Sequence, residues 1–346
     1  MSQNRNKALY FEAPIRSLRA LCELLRLEEP ALRELAAEAN GLYRPVKPKS
    51  GSKRETFDAL PRLKLIHAKL KTDIFERVVF PDYLTGSLKG RDYKKNAEKH
   101  AGKKVVVCED VKSFFPSIKA DKVYDVWNGF FGFAPDVSSL LTALTTKDGA
   151  VPQGAIPSSY LANLVLWRSE PLLHAKLASQ GIDYSRYVDD ISFSSVRFLS
   201  RVEKTAAIGA IFGMLSAAGL RAGREKHQIF NGALPMIVTK LVVNNKPSLT
   251  KRNRAQVRAA MFQLLKMVAA QGSATIETIR ALDKMAQRVG QLGRFHPQDA
   301  SLYRQQLQAA RAAIEVKGMP TFTSAAALRA NEWTTNPEAD IRLPWD

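Results

Sequence analysis

The chain has 346 residues, with 52 Lys plus Arg against 33 Asp plus Glu, a formal charge of +19 and a pI near 9.9. That length can bury a real core over two or three subdomains. The basic excess selects a polyanionic partner, nucleic acid rather than membrane, because no stretch combines a basic face with a strongly apolar one. Two separated cysteines, Cys22 and Cys108, and five histidines without ligand spacing exclude a disulfide framework and a zinc ribbon. No apolar signal core and no membrane-length apolar run is present, so the expectation is a soluble cytoplasmic protein.

In chain order, Leu18, Leu21, Leu25, Leu32, Leu35 and Ala36 fall at helical intervals, and Pro30 opens a second helix. "YRPVKPKSGSKR" (43–54) is basic without an acid. Leu63, Ile66, Leu70 and Ile74 predict another helix, and "KGRDYKKNAEKHAGKK" (89–104) is again basic. Val105 to Cys108 is a short apolar run, the mark of a strand buried on both faces, and it ends in Glu109 and Asp110. Turn residues at "VPQGAIP" lead into a helix-like "SSYLANLVLW". "SRYVDDISFSS" (185–195) reads as a hairpin, with Ile191 and Phe193 alternating with Ser192 and Ser194. A small-residue helix ends near Gly219. After Val243 the chain reads as helical, with Val257, Met261, Leu264 and Val268 on one face, then Ile276, Ile279, Leu282, Ala286 and Val289. "KPSLTKRNRAQVR" (246–258) is the third basic stretch. Three such stretches predict a phosphate-binding channel.

Adjacent aspartates at a hairpin tip are by themselves ordinary turn residues. Nucleotidyl transfer, however, needs two divalent ions held by a few convergent carboxylates on rigid strands. Asp110 at a strand end and Asp189 and Asp190 at a hairpin tip would serve if those strands are neighbours.

"CEDVKSFFPSI", "VPQGAIPSSYLANL", "YVDD" and "REKHQIF" follow one another from Cys108 to Phe230. Their order and spacing resemble the palm motifs of reverse transcriptases, and the stretch from Tyr43 to Leu70 resembles the fingers segment of these enzymes. "NAEKH" (96–100) and "VTKLVVN" (238–244) resemble two signatures of the bacterial retron type. Three positions depart from the family pattern: Lys240 stands where glycine is usual, Val188 where alanine is common, and Pro157 falls one place late. None of them removes a metal ligand.

The resemblance implies an α+β right-hand polymerase with helical fingers, a palm built on a small antiparallel sheet, and a helical thumb. It implies segments 1–103 (N-terminal helices and fingers), 104–245 (palm, with some fingers elements interleaved) and 246–346 (thumb and tail). It implies that Asp110, Asp189 and Asp190 hold two Mg²⁺ ions, with Mn²⁺ as a substitute, and that Lys226 neutralises or protonates the leaving pyrophosphate. Phe115 would exclude a ribose 2′-hydroxyl, with Phe114 in the core. Gln153 and Gly154 would shape the nascent base-pair pocket. Lys53 and Arg54, with Lys47 or Lys49, would clamp the triphosphate. Asn96, His100, Val238, Thr239 and Lys240 would contact RNA, and Lys251, Arg252 and Arg254 would track backbone phosphates. The implied partners are a structured non-coding RNA serving as template and primer, the RNA–DNA hybrid product, dNTPs and an accessory effector protein, with no membrane. The implied product is branched RNA-linked DNA (msDNA) made in anti-phage defence. Two readings stay open beside this one: a bacterial defence or intron-related reverse transcriptase without the branch, and a catalytically silent RNA-binding scaffold. The tail "NEWTTNPEADIRLPWD", with Trp333 and Trp345, either folds back on the protein or docks an effector.

Overall fold

The computed structural model describes residues 6–46, 55–271 and 275–314. In order, the elements are α1 (Leu18–Leu25), α2 (Glu29–Glu38), β1 (Tyr43–Val46), β2 (Thr56–Ala59), α3 (Pro61–Asp73), α4 (Tyr93–Lys99), β3 (Val105–Asp110), α5 (Phe114–Ser117), α6 (Ala120–Asp125), α7 (Pro135–Thr145), α8 (Ser158–Leu164) and α9 (Glu170–Ser179). They continue with β4 (Asp183–Tyr187), β5 (Asp190–Ser195), α10 (Arg201–Ala217), β6 (Gln228–Asn231), β7 (Ile237–Val238), β8 (Leu241–Val242), α11 (Lys251–Gln271), α12 (Ile276–Gly293) and α13 (Pro297–Ala312). The fold is α+β. Two compact units divide the chain, one within 1–239 and the other within 240–346.

The first unit is organised by an antiparallel sheet in the order β4-β5-β3-β6. Strand β3 is interior, which is why its sequence is a continuous apolar run: Val105, Val106 and Val107 are fully buried. Each such side chain contributes roughly 1.5–3 kcal/mol of burial energy. Side chains alternate between two faces. One face, with Val105, Val107, Ile191, Phe193 and Tyr184, joins a core that runs from Leu18 in α1 to Leu220 beyond α10. The segments expected as fingers and palm therefore share one continuous core. The other face carries Asp110 and Cys108 from β3, Asp190, Ser192 and Ser194 from β5, and Ser185 from β4.

Local signals set the helices around the sheet. Pro30 lies in the first turn of α2, and Leu21, Leu25, Leu32 and Leu35 are buried. Asp92 caps α4, accepting from the Lys95 backbone N at 2.9 Å. A reciprocal capping box of Ser200 and Glu203 opens α10. At the base of the β1–β2 hairpin, the Tyr43 hydroxyl and His67 Nε2–H both donate to the Leu144 carbonyl, at 3.2 and 2.8 Å. Burial pushes the His67 ring down to about 4, so it stays neutral there.

In the second unit, α11 buries Val257, Met261, Leu264 and Val268, the face its spacing predicts. Helix α12 differs from expectation. It buries Leu282, Met285, Val289 and Leu292, while Ile276, Ile279 and Ala286 are exposed. The buried stripe starts in the first turn at Thr278, whose Oγ1 is hydrogen-bonded to that of the N-cap Thr275 at 2.8 Å, and runs on through Leu282, Met285, Val289 and Leu292. A polar residue thus takes the place the apolar spacing gave to Ile276 and Ile279. No helix among the described residues is long and apolar enough to cross a membrane.

Candidate active site

The pairing of β3 with β5 ends on Asp110 opposite Asp190. Cross-strand partners share a face with Cβ atoms about 4.5–5.5 Å apart, and like charges so placed repel. Burial sharpens the conflict, since Asp110 is 6% exposed. The β4–β5 pairing closes at Tyr187 opposite Asp190, leaving Val188 and Asp189 as the two-residue turn. The Asp189 carbonyl accepts from the Val111 backbone N at 3.0 Å, so the turn is pinned to the end of β3.

Val188 has φ 58. A β-branched residue in the left-handed region costs about 1–2 kcal/mol, so something must hold it. Gly86 is one restraint: a Cβ there would lie 2.5 Å from the Val188 N and 2.6 Å from its Cγ2. Only glycine leaves the turn this space.

Lys226 Nζ donates to Asp110 Oδ1 at 2.8 Å. Burial pulls its pKa down, but the Asp110 hydrogen bond and the charges of Asp110, Asp189 and Asp190 raise it above the ordinary lysine value overall. The turn that presents it is held at both ends. The Gly223 N donates to the Asp110 carbonyl at 2.6 Å, and a Cβ on Gly223 would lie 2.8 Å from Asp110 Oδ2. His227 Nδ1 lies 2.6 Å from Oε1 of the buried Glu109. Burial raises the Glu109 carboxyl above its usual range, against the opposing effect of His227.

Among the described residues no group of three or more His, Cys, Asp or Glu side chains forms a ready-made metal cage. What the strands do bring together is a cross-strand carboxylate pair, Asp110 and Asp190, with Asp189 on the adjoining turn. Such a pair would fit a hard divalent cation such as Mg²⁺, which keeps several waters and takes one or two protein carboxylates plus substrate phosphates.

The Gln153 carbonyl accepts from the Phe57 N in β2 at 2.8 Å. Gly154 has φ +108, and a Cβ there would lie 2.8 Å from the Phe57 carbonyl oxygen. These two residues therefore seat the β1–β2 hairpin against the entry to α8. Phe114 is buried and Phe115 only half-buried, packed at the rim of the core. Lys47, Lys49, Lys53 and Arg54 lie outside the described residues, as does the tail with Trp333 and Trp345.

Asn96 and His100 require a correction. Both are 0% exposed and cannot present side chains to RNA. Ser185 Oγ and Thr85 Oγ1 donate to Asn96 Oδ1 at 2.8 and 2.7 Å. With its proton committed there, Ser185 Oγ accepts from His100 Nε2–H at 2.7 Å, and His100 Nδ1 accepts from Ser194 Oγ at 2.7 Å. Burial pushes the His100 ring down to about 3, which keeps it neutral. The pair fastens α4 to β4 and β5. Val238 is also fully buried, so its side chain is likewise unavailable to RNA. Thr239 Oγ1 donates to the Tyr93 carbonyl at the start of α4, at 3.0 Å. Lys240 is exposed with φ 66. Lys251, Arg252 and Arg254 are exposed on the first turns of α11.

Arg186, Glu170, Gly86, Gly223 and the Glu109–His227 pair are not found by the sequence reasoning. The parity of β4 carries one signal: Arg186 shares the parity of the apolar, buried Tyr184 and Val188, an inward position for a charged residue.

Residues 47–263 match the family model described as reverse transcriptase (RNA-dependent DNA polymerase). The chain is 37% identical to the retron Se72 reverse transcriptase of Salmonella heidelberg, covering 74% of this chain and 70% of that protein. It is 30% identical to the retron Ec48 reverse transcriptase of Escherichia coli, covering 92% and 80%. Among solved structures, telomerase from Candida albicans in complex with a telomeric RNA fragment is similar at a TM-score of 0.40 and 11% identity, covering 73% of this chain and 46% of that one.

Proposed function

The chain belongs to the reverse transcriptase family, and within it to the bacterial retron type; from that premise we propose that it extends a primer on a structured non-coding RNA by two-metal nucleotidyl transfer. In this reading the product is branched RNA-linked DNA, made in the cytoplasm for anti-phage defence with an accessory effector protein. One observation carries the site assignment: Asp110 and Asp190 face each other across β3 and β5, with Asp189 on the adjoining turn and Lys226 bonded to Asp110.

Asp110, Asp189 and Asp190 would hold the ions. Two Mg²⁺, when bound, supply Lewis acidity toward the primer hydroxyl and the triphosphate. Gln153 and Gly154 shape the pocket for the incoming base pair. Phe115 stands against the sugar and favours dNTPs. Lys226 offsets the charge that develops on the leaving pyrophosphate. Lys53 and Arg54 would hold the triphosphate. Lys251, Arg252 and Arg254 track backbone phosphates and contribute salt-dependent affinity without base reading.

The test is on nucleic acid co-purifying from the native host with wild type and with an Asp189→Ala, Asp190→Ala variant. The expected result is a discrete DNA in wild type alone, whose mobility shifts on debranching. DNA indifferent to debranching would favour a reverse transcriptase without the branch. Equal RNA and no DNA in both would favour a silent scaffold.

A further inference from the structure

Arg186 is among the largest fully buried side chains of the described residues. A guanidinium has five N–H donors, and every one is used. Nε and Nη2 donate to Glu170 Oε1 and Oε2 at 2.6 and 2.8 Å. The second Nη2 proton goes to the Asn163 carbonyl at 3.0 Å. Nη1 donates to the Ala162 carbonyl at 3.2 Å and to the Val188 carbonyl at 3.1 Å. Glu170 is buried as well and also accepts from the Tyr184 hydroxyl at 2.7 Å.

A buried ion pair is weak evidence for net stability, because desolvation offsets its attraction. The other three bonds point to a second role. Two reach carbonyls at the end of α8, the helix entered through Gln153 and Gly154. The third reaches the strained residue of the turn that carries Asp189. A closed circuit completes the arrangement: Asn163 Nδ2 donates to the Gly86 carbonyl at 3.0 Å, and Gly86 abuts Val188. One rigid, planar group thus spans the turn and α8.

We infer that Arg186 is a positioning residue. It holds Val188 in its left-handed conformation and fixes where the catalytic turn sits relative to the Gln153–Gly154 entry to α8. The inference rests on the polymerase reading above.

Arg186→Lys keeps a charge opposite Glu170, but a single ammonium cannot span the carboxylate, the turn and α8. Glu170→Gln removes the charge pairing and leaves the three main-chain bonds in place. A double variant, Arg186→Gln with Glu170→Gln, removes both charges and avoids leaving one buried and unpaired, so it serves where Arg186→Lys does not fold. Each is compared with wild type for Tm, for Kd of an RNA–DNA template–primer, for the single-turnover rate of dNTP incorporation, and for the rise in Tm on adding Mg²⁺.

Arg186→Lys and the double variant are expected to lose on the order of 10²-fold in rate, the scale of a 1 Å misplacement. They should also lose the Mg²⁺-induced rise in Tm, with template–primer Kd little changed. Glu170→Gln should show a smaller rate loss for a similar loss of Tm, with the Mg²⁺ response retained. If rate follows Tm alone in all three variants and each keeps the Mg²⁺ response, Arg186 is a core fastener and the inference is overturned. A wild type that extends no primer overturns the polymerase reading, and the inference with it.

Discussion

Two ends of one sheet face are polar for opposite reasons. At the end where β3 meets the β4–β5 turn, Asp110 and Asp190 are set opposite each other, a like-charged pair beside the Lys226 ammonium. Further along, the same face carries Ser185 and Ser194, roofed by Asn96 and His100 in a neutral network. The first end gathers negative charge that calls for cations. The second is closed and matched proton for proton on His100. Polarity of residue type therefore does not mark the functional end of the face; the balance of charge does, since the closed end is neutral even though Asn96 Nδ2 is buried there without a hydrogen-bond partner.

The largest expected effect breaks the charged end. Asp110→Asn should lower primer-extension rate by about 10³-fold, the upper scale for removing one charge-stabilising group, while leaving the unfolding midpoint in urea near or above that of wild type. A sharp fall in stability with the rate preserved would reverse the assignment of the two ends.

His100→Ala should do the opposite. It removes a filled, hydrogen-bonded ring and strands Ser185 and Ser194, so it should cost about 2–4 kcal/mol in urea unfolding. RNA affinity of the folded fraction should not change. If affinity falls with stability intact, the closed end contacts RNA after all.

The pH dependence sharpens the same contrast. His100 is held down to about 3 in the folded chain, against about 6.5 for an unfolded histidine. Between those values the unfolded state binds the extra proton, so stability is full above the unfolded pKa and falls as pH drops through the window. His67, at about 4, acts in the same direction. Urea midpoints of His100→Gln against wild type should show the slope reduced by up to about 1.4 kcal/mol per pH unit across that window. Identical slopes would mean that His100 titrates freely.

The smallest effect concerns the turn after Val238. Lys240 has φ 66, where glycine is at ease and other residues are strained. Lys240→Gly should raise stability by about 1 kcal/mol, read as a higher urea midpoint. A lower midpoint would show that contacts of the lysine side chain outweigh the backbone strain.

Much of the architecture was legible because it rests on local signals. The buried run at Val105, the alternation after Asp190 and the Pro30 helix start report burial and φ preferences that each residue carries with it. The meeting of Asp110 with Asp190 could be framed as a condition, since both lie at strand ends, but only the β3–β5 register fulfils it. The role of His100 was misread because a helical Asn and His four residues apart look the same whether they face a ligand or a sheet. The serines that decide the matter lie far along the chain at 185 and 194. Gly86 was invisible for the same reason: its need to be glycine comes from Val188, a distant segment. Arg186 did leave a trace, a charge at an inward parity, but its partners on α8 and α9 come from the tertiary fold.

The most direct test of the contrast between the two ends is a Mn²⁺ titration followed by electron paramagnetic resonance, with template–primer and dNTP present, on wild type, Asp190→Asn and His100→Ala. The account predicts saturable Mn²⁺ binding in wild type and in the folded His100→Ala protein, and its loss or marked weakening in Asp190→Asn. Equal binding by wild type and Asp190→Asn would contradict it, because the like-charged end of the sheet would then not be where the cations sit.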